Sequence, residues 1–390
     1  MKPTLAIVVT SFLSHDGQRA AGGGRPRIVR DLARYFTAQD YDVTIVQRGE
    51  RSSLIPYEEN ISVHVVKAPK RAWGDLWFAR AIRAEVRAAT VCCYASPEDG
   101  FPFDSPNAFA IQHGVWWDSP EYSGPKRLAV HAVQRLRNAA MCRRTKAVIC
   151  VDSNFANTLR LDGPLGHELA AKCFYLPNYV DLKAFPAPHH GRLLQRFWSR
   201  KLLFLRRLEP PRGPRLIVEV CRLLRDNGVA FAAELCGWGS EREATSRLIA
   251  EYRLETQVGL SKAALGGAAT VADAAAVSVV PSLWSEGTSL SAIESIAQGI
   301  PVVASDVGGL ANVVIPGFNG YICPSTAPAF AERIRRLLDD EDEYLRLAHN
   351  CLALREVFSF ERWIRELTDR LAQQGIIPTT PHLRTTAVPA

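Results

Sequence analysis

Two glutamates, Glu286 and Glu294, stand with seven residues between them in "SEGTSLSAIESIAQGIPVV" (285–303) and bracket a run of small and hydroxyl residues. Thr288, Ser289 and Ser291 are helix-start residue types, and Leu290, Ile293, Ile296 and Ala297 follow at helical spacing until Gly299 and Pro301 end the pattern. Glu286 is therefore expected in a loop and Glu294 on the helix. Ser291 and Glu294 fit a capping box, in which serine and glutamate each satisfy an orphan backbone donor of the first turn. That device would account for one glutamate and leave the other unexplained.

A second stretch, "FLRRLEPPRGPRLIVEV" (204–220), passes from a strand into a loop holding Arg206, Arg207 and Arg212 before a helix opens at Pro214. A planar guanidinium donates two bonds to a phosphate oxygen pair, so arginines beside a strand-to-helix loop suit a phosphate. The helix start at Gly287, Thr288, Ser289 and Leu290 offers outward-pointing amides with a partial positive charge. Together these elements could hold a nucleoside diphosphate, with Glu294 placed to accept both hydroxyls of its ribose.

Nearer the N-terminus, Gly22, Gly23 and Gly24 precede a helix and let backbone approach a ligand closely. His113 ends a strand in "IQHGVWWDSPE", where residues facing a cleft belong, and Asp118 follows on the same loop as a candidate acceptor contact. Trp116 and Trp117 suit either stacking on a sugar ring or core packing.

What must position these residues is an alternation of strands and helices. It runs through "LAIVVT", "RIVRDLARYFTAQ", "YDVTIVQ", "ISVHVV", "LWFARAIRAEVRAA", "VCCYAS", "AFAIQH" and "AVICVDS". Such crossover units make a mostly parallel sheet with helices on both faces. The pattern breaks at "AFPAPHHGRLLQRFWSRK" and restarts at "KLLFL". The predicted organisation is α/β with two doubly wound units: 1–184, a linker at 185–200, 201–355, a helix at 356–373 and a loose tail at 374–390. Ligands of such sheets bind beyond the carboxyl ends of the strands, and a cleft between two units is a favoured pocket.

The composition is that of a soluble globular chain, and its 390 residues exceed one ordinary core. The nine cysteines are scattered without zinc spacing and read as buried thiols in a reducing compartment. "LAIVVT" is too short for a signal peptide, and no run approaches the roughly 18 apolar residues of a membrane span. The net charge of +7 concentrates at 125–146, where Lys126, Arg127, Arg135, Arg137, Arg143, Arg144 and Lys146 stand without one acidic residue. Interspersed Leu128, Val133, Leu136 and Met141 fit either a basic amphipathic helix lying on an anionic lipid surface or a solvated basic face. No recognised nucleic-acid motif accompanies the charge, so nucleic acid is not expected as a partner.

Taken together, the motifs resemble the family 4 retaining glycosyltransferases of GT-B fold. That family carries two glutamates at the spacing of Glu286 and Glu294, followed by a motif matched by "GIPVVASDVGG" (299–309). Its arginine and lysine five apart align with Arg207 and Arg212. Further matches are "GGG" (22–24), "VDSNF" (151–155), "LPNYVDLKAF" (176–185), "CGWGSE" (236–241) and "FSFERW" (358–363). The resemblance implies two Rossmann-like domains facing a cleft, an acceptor-side one first and a donor domain second, with the C-terminal helix crossing back to the first.

The same resemblance implies that Arg207 and Arg212 bind the donor diphosphate, Glu286 faces the donor sugar, Glu294 holds the ribose and His113 lies by the transferred sugar. Gly22, Gly23 and the run from Gly287 to Leu290 would supply further donor contacts. It implies retention by front-face attack with no metal and no resident cofactor, the co-substrate being a UDP-, GDP- or dTDP-linked sugar. The acceptor expected is a saccharide, lipid-linked or part of a growing surface polysaccharide or lipopolysaccharide. A cytosolic location follows, with the basic segment against the inner face of the plasma membrane. The sequence departs from the family at Arg206, where glycine is common, at Arg212, where lysine is common, and at Asn312, where glutamate is common. A retaining hydrolase, a nucleotide-sugar epimerase and a non-catalytic sugar-nucleotide-binding partner are the rival readings.

Overall fold

The computed structural model describes residues 2–14, 23–68, 74–96, 107–262, 267–284 and 286–379. The chain divides into two compact units. The first takes in Met1–His113, Tyr122–Leu176 and the chain from Arg365 onward; the second takes in Gly114–Glu121 and Pro177–Ile364.

The first unit is built on eight strands: β1 (Thr4–Val9), β2 (Asp42–Gly49), β3 (Ser53–Glu58), β4 (Ile61–Lys67), β5 (Val91–Tyr94), β6 (Ala108–Gln112), β7 (Ala147–Cys150) and β8 (Cys173–Tyr175). Their order is β3-β4-β2-β1-β5-β6-β7-β8, parallel except for β3 against β4. The apolar runs of β1, β5, β6 and β7 are buried almost throughout, as strands covered on both faces must be. β3 is the element that the alternation pattern passes over. It is a half-exposed edge strand joined to β4 through Asn60 in the left-handed conformation, and its Pro56 is tolerated because an edge lacks one ladder.

The second unit has six strands: β9 (Lys201–Leu205), β10 (Ala232–Cys236), β11 (Val258–Ser261), β12 (Val277–Val280), β13 (Val302–Ser305) and β14 (Gly320–Cys323). All are parallel, in the order β11-β10-β9-β12-β13-β14. Chain order therefore reverses between β9 and β12, the switch point at which doubly wound sheets bind their ligands. The helix Pro214–Asp226 buries Ile217, Val220, Cys221 and Leu224 at helical spacing against this sheet.

The segment 185–200 is not a bare linker, because His190–Ser199 is a helix. Leu193, Arg196 and Phe197 share its buried face, and Phe197 packs against Tyr344 with ring centroids 5.2 Å apart. Arg196, which reads as linker charge in the sequence, is among the most buried side chains. Its Nε donates to the Asp273 carbonyl at 2.7 Å and its Nη1 to the carbonyl of Gln298. Prolines and glycine crowd only the start of the segment. The C-terminal helix runs Phe360–Gln373, and within the second unit Tyr179 packs against its Phe360 and Trp363. From Arg365 onward the chain returns to the first unit, where Thr368 bonds Tyr35 and Gly375 and Ile376 accept from Lys146 and Asn107. No helix among the described residues is long and apolar enough to cross a membrane.

Candidate functional site

Arg206 follows β9 directly, and Ser282 and Glu286 follow β12, so the loops of the two switch-point strands deliver three polar side chains to one place. Oε2 of Glu286 accepts from Arg206 Nη2, from Arg212 Nη1 at 2.5 Å and from Ser282 Oγ at 2.6 Å. Arg206 Nη1 also donates to Ser282 Oγ at 2.7 Å. The side chains of Arg206 and Glu286 are 5% and 8% exposed, and that of Arg212 is 20% exposed. Burial works against the charged form of Glu286, but Arg206, Arg212 and the Ser282 hydroxyl outweigh it and hold the carboxyl below its ordinary range. Two guanidiniums against one carboxylate leave the cluster with a net positive charge.

The backbone is shaped to make this meeting. Arg212 closes a short turn, Pro210–Arg212, and Gly213 follows with φ of 70° as the cap of the next helix. A Cβ at Gly213 would lie 2.0 Å from the Pro281 carbonyl oxygen, so glycine is required where this turn lies against the end of β12. The Leu283 amide bonds the Pro211 carbonyl across the same approach, at 3.0 Å. On the other side, Gly308 has φ of 58° and a Cβ there would meet the Glu286 carbonyl oxygen at 2.0 Å, while the Gly309 amide donates to that carbonyl at 3.0 Å.

Beyond Glu286 the helix Leu290–Ala297 begins, with Ser289 as its N-cap residue in extended conformation. The cap makes no side-chain hydrogen bond, and Ser291 lies inside the helix, so the capping box read from Ser291 and Glu294 does not form. Ser289 Oγ instead pairs with Ser291 Oγ at 3.0 Å. Asn178 clamps this start: its amide donates to Thr288 Oγ1 at 3.0 Å and its Nδ2 to the Thr288 carbonyl at 2.5 Å. Thr288 and Ser289 are buried, whereas Gly287, Leu290 and Glu294 are half-buried.

Of the residues singled out in the sequence, Glu286, Arg212 and the run from Gly287 to Glu294 come together in the second unit. Arg207 is exposed and lies beside Glu209, whose carboxyl is held low first by Ser240 and less by Arg207. Arg206 holds the inner position. His113 belongs to the first unit, at the end of β6, and its Nε2 donates to the Ala95 carbonyl beyond β5 at 2.7 Å, which places the ring proton on Nε2. Gly23 caps the helix Gly24–Ala38; Gly22 lies outside the described residues. Trp117 is buried against Trp116, edge to face at 5.9 Å, while Trp116 and Asp118 are exposed. Ser282 and Asn178 are absent from the residue-by-residue reading. Asn178 sits in the quoted motif "LPNYVDLKAF", and Ser282 carries no signal of its own. Among the described residues no group of three or more His, Cys, Asp or Glu is arranged to hold a metal ion.

Two doubly wound, mostly parallel sheets are the architecture of the GT-B fold. Solved structures agree. Sucrose-phosphate synthase from Thermosynechococcus elongatus superposes with a TM-score of 0.77 at 20% identity, covering 95% of this chain and 99% of that one. Anabaena HepE, solved in complex with UDP, gives 0.70 at 16% identity, covering 96% and 100%.

Residues 198–351 match the family described as glycosyl transferases group 1. Among relatives, a D-inositol 3-phosphate glycosyltransferase of Corynebacterium glutamicum is 28% identical over 47% of this chain and 47% of its own length. A putative colanic acid biosynthesis glycosyltransferase, WcaL, of Salmonella typhimurium is 29% identical over 39% of this chain and 37% of its own. The match thus spans less than half the length of these two. A D-inositol 3-phosphate glycosyltransferase of Streptomyces scabiei is 26% identical over 91% of this chain and 87% of its own.

Proposed function

We propose that the protein is a retaining glycosyltransferase that moves a hexosyl group from a nucleoside diphosphate sugar to a hydroxyl of a saccharide acceptor. The observation that carries this reading is the convergence of Arg206, Arg212 and Ser282 on Glu286 at the switch point, directly before the helix start at Leu290. Departure of the diphosphate needs fixed positive groups aimed at developing charge. Arg212 and the amides of 287–290 supply them, so neither a metal nor a resident cofactor is called on. Glu294 takes the ribose and Glu286 the donor sugar. Arg207 is a diphosphate ligand only if its exposed side chain folds inward.

For the acceptor, the likeness to a colanic acid enzyme supports a lipid-linked or growing surface polysaccharide, handled on the cytoplasmic face of the plasma membrane. The helix Gly124–Arg144 supports the lipid side of this reading: Leu128 and Leu136 are 75% and 72% exposed beside exposed Lys126, Arg127, Arg135 and Arg143. Arg137 and Arg135 are already engaged by Asp75 and Asp162, so the lipid-facing charge rests chiefly on the others.

Proton NMR of the slow turnover of UDP-, GDP- and dTDP-glucose by the purified chain tests the reaction. Release of α-glucose first, before mutarotation, is expected. A β-anomer contradicts retention, and an epimerised sugar nucleotide favours the epimerase. Flotation with anionic vesicles, with and without Lys126, Arg127 and Arg143 changed to glutamine, tests the membrane reading.

A further inference from the structure

Of the two guanidiniums on Glu286, that of Arg206 is the more deeply buried. The bonding around it is closed. Arg206 holds Ser282 Oγ and Glu286 Oε2, and Ser282 Oγ donates to the same Oε2. Arg212 adds a third donor to that single oxygen, although a carboxylate spreads about four acceptor sites over its two oxygens. Oε2 is therefore oversubscribed, and the Arg212 bond is the one that can leave without stranding a buried charge. Arg212 is also the more exposed partner, on the turn Pro210–Arg212. Among the described residues no donor reaches Oε1 of Glu286.

From this geometry we infer that Arg206 is a positioning residue for the donor sugar. When the diphosphate draws Arg212 away, Arg206 and Ser282 keep Glu286 ionised and fixed by Oε2, and Oε1 accepts a hydrogen bond from a hydroxyl of the sugar. The inference rests on the nucleotide-sugar reading of this site and adds the sugar's chemical class. With Arg212 withdrawn, the Arg206–Glu286 pair is neutral overall and presents an acceptor, so it selects a neutral, hydroxyl-donating sugar over a uronate, whose carboxylate would face that of Glu286. Recognition is thus divided: Arg212 reads the diphosphate, and Arg206, acting through Glu286, reads the sugar.

Calorimetric titration of the full chain with UDP, GDP and dTDP, each beside its glucose conjugate, separates the two. In Arg206→Gln the bare nucleotide binds within about threefold of the unsubstituted chain, while the ratio of conjugate to bare-nucleotide affinity falls about tenfold or more, and Arg206→Lys restores most of that ratio. The double variant Arg206→Gln/Glu286→Gln removes both buried charges together, so it carries the test if Arg206→Gln fails to fold, and it shows the same lowered ratio. An unchanged ratio in Arg206→Gln or in the double variant overturns the inference. So does a loss of bare-nucleotide affinity in step with that of the conjugate, which would make Arg206 a phosphate ligand. If the unsubstituted chain binds none of the six compounds, the nucleotide-sugar reading itself falls and the inference falls with it.

Discussion

Arg206 and Glu286 meet through Nη2 and Oε2 at the carboxyl ends of β9 and β12, the two strands between which the order of the second sheet reverses. A buried ion pair of this kind is a weak source of net stability, but breaking it from one side is costly. Glu286→Ala leaves two guanidiniums facing each other without a carboxylate, and a loss of about 3–5 kcal/mol in urea denaturation is expected. The paired change Arg206→Gln/Glu286→Gln is expected to recover much of that. Equal losses in both variants would show that the pair is not the reason for the destabilisation.

The charge state of Glu286 sets a pH dependence. Burial raises its pKa, the two arginines and Ser282 lower it further, and the folded value lies below the ordinary 4.5. A depressed carboxylate contributes stability that is complete above its unfolded pKa and is lost as pH falls through the folded one. Urea midpoints should therefore hold steady from neutral pH down to about 5 and then decline. Glu286→Gln should decline less steeply below that point. An identical slope in the variant would mean that Glu286 is not the titrating group.

Gly308 lies where backbone approaches backbone. Alanine there meets the Glu286 carbonyl and must also hold a φ of 58°, a conformation that costs an L-residue roughly 1–2 kcal/mol before any clash. Gly308→Ala should lower thermal stability and weaken nucleotide binding together, since the loop bearing Glu286 must shift. Gly317→Ala has a φ of 73° and open space around the new Cβ, so it should lower stability alone. Indistinguishable binding by the two variants would remove the Gly308 contact from the account.

Cysteine reactivity should be uneven. In the first unit the thiol pKa of Cys173 is lowered, chiefly by the neighbouring thiols of Cys142 and Cys150, with Arg160 and Lys172 assisting. Cys221 and Cys323 are pushed up to about 12 by burial. Iodoacetamide near neutral pH should modify the half-buried Cys173 first and reach Cys221 and Cys323 only on unfolding, as peptide mapping would show. Simultaneous labelling of Cys221 would contradict it.

Much of this arrangement is legible in the sequence, for identifiable reasons. Strands buried on both faces announce themselves as apolar runs, which is why β1, β7, β9, β12 and β13 coincide with "LAIVVT", "AVICVDS", "KLLFL", "VSVVPS" and "PVVAS". β3 and the helix His190–Ser199 do not. The first is an exposed edge with a proline, and the second hides a buried arginine among carbonyls, a contact no periodicity reveals. Within the site, spacing shows that Glu286 and the helix start belong together. It does not show that Arg206 rather than Arg207 turns inward, because neighbouring residues after a strand face opposite ways and a loop can begin on either. The scattered cysteines read as uniformly buried, yet Cys173 is only half so.

The central claim is that the site around Glu286 and the helix Leu290–Ala297 holds a nucleoside diphosphate sugar. It is tested most directly by thermal-shift binding of UDP-, GDP- and dTDP-sugars to the purified chain beside Arg212→Ala and Glu294→Ala. A shift specific to one nucleotide and lost in both variants is the predicted result. A shift that survives in both variants would place the nucleotide elsewhere and contradict the account.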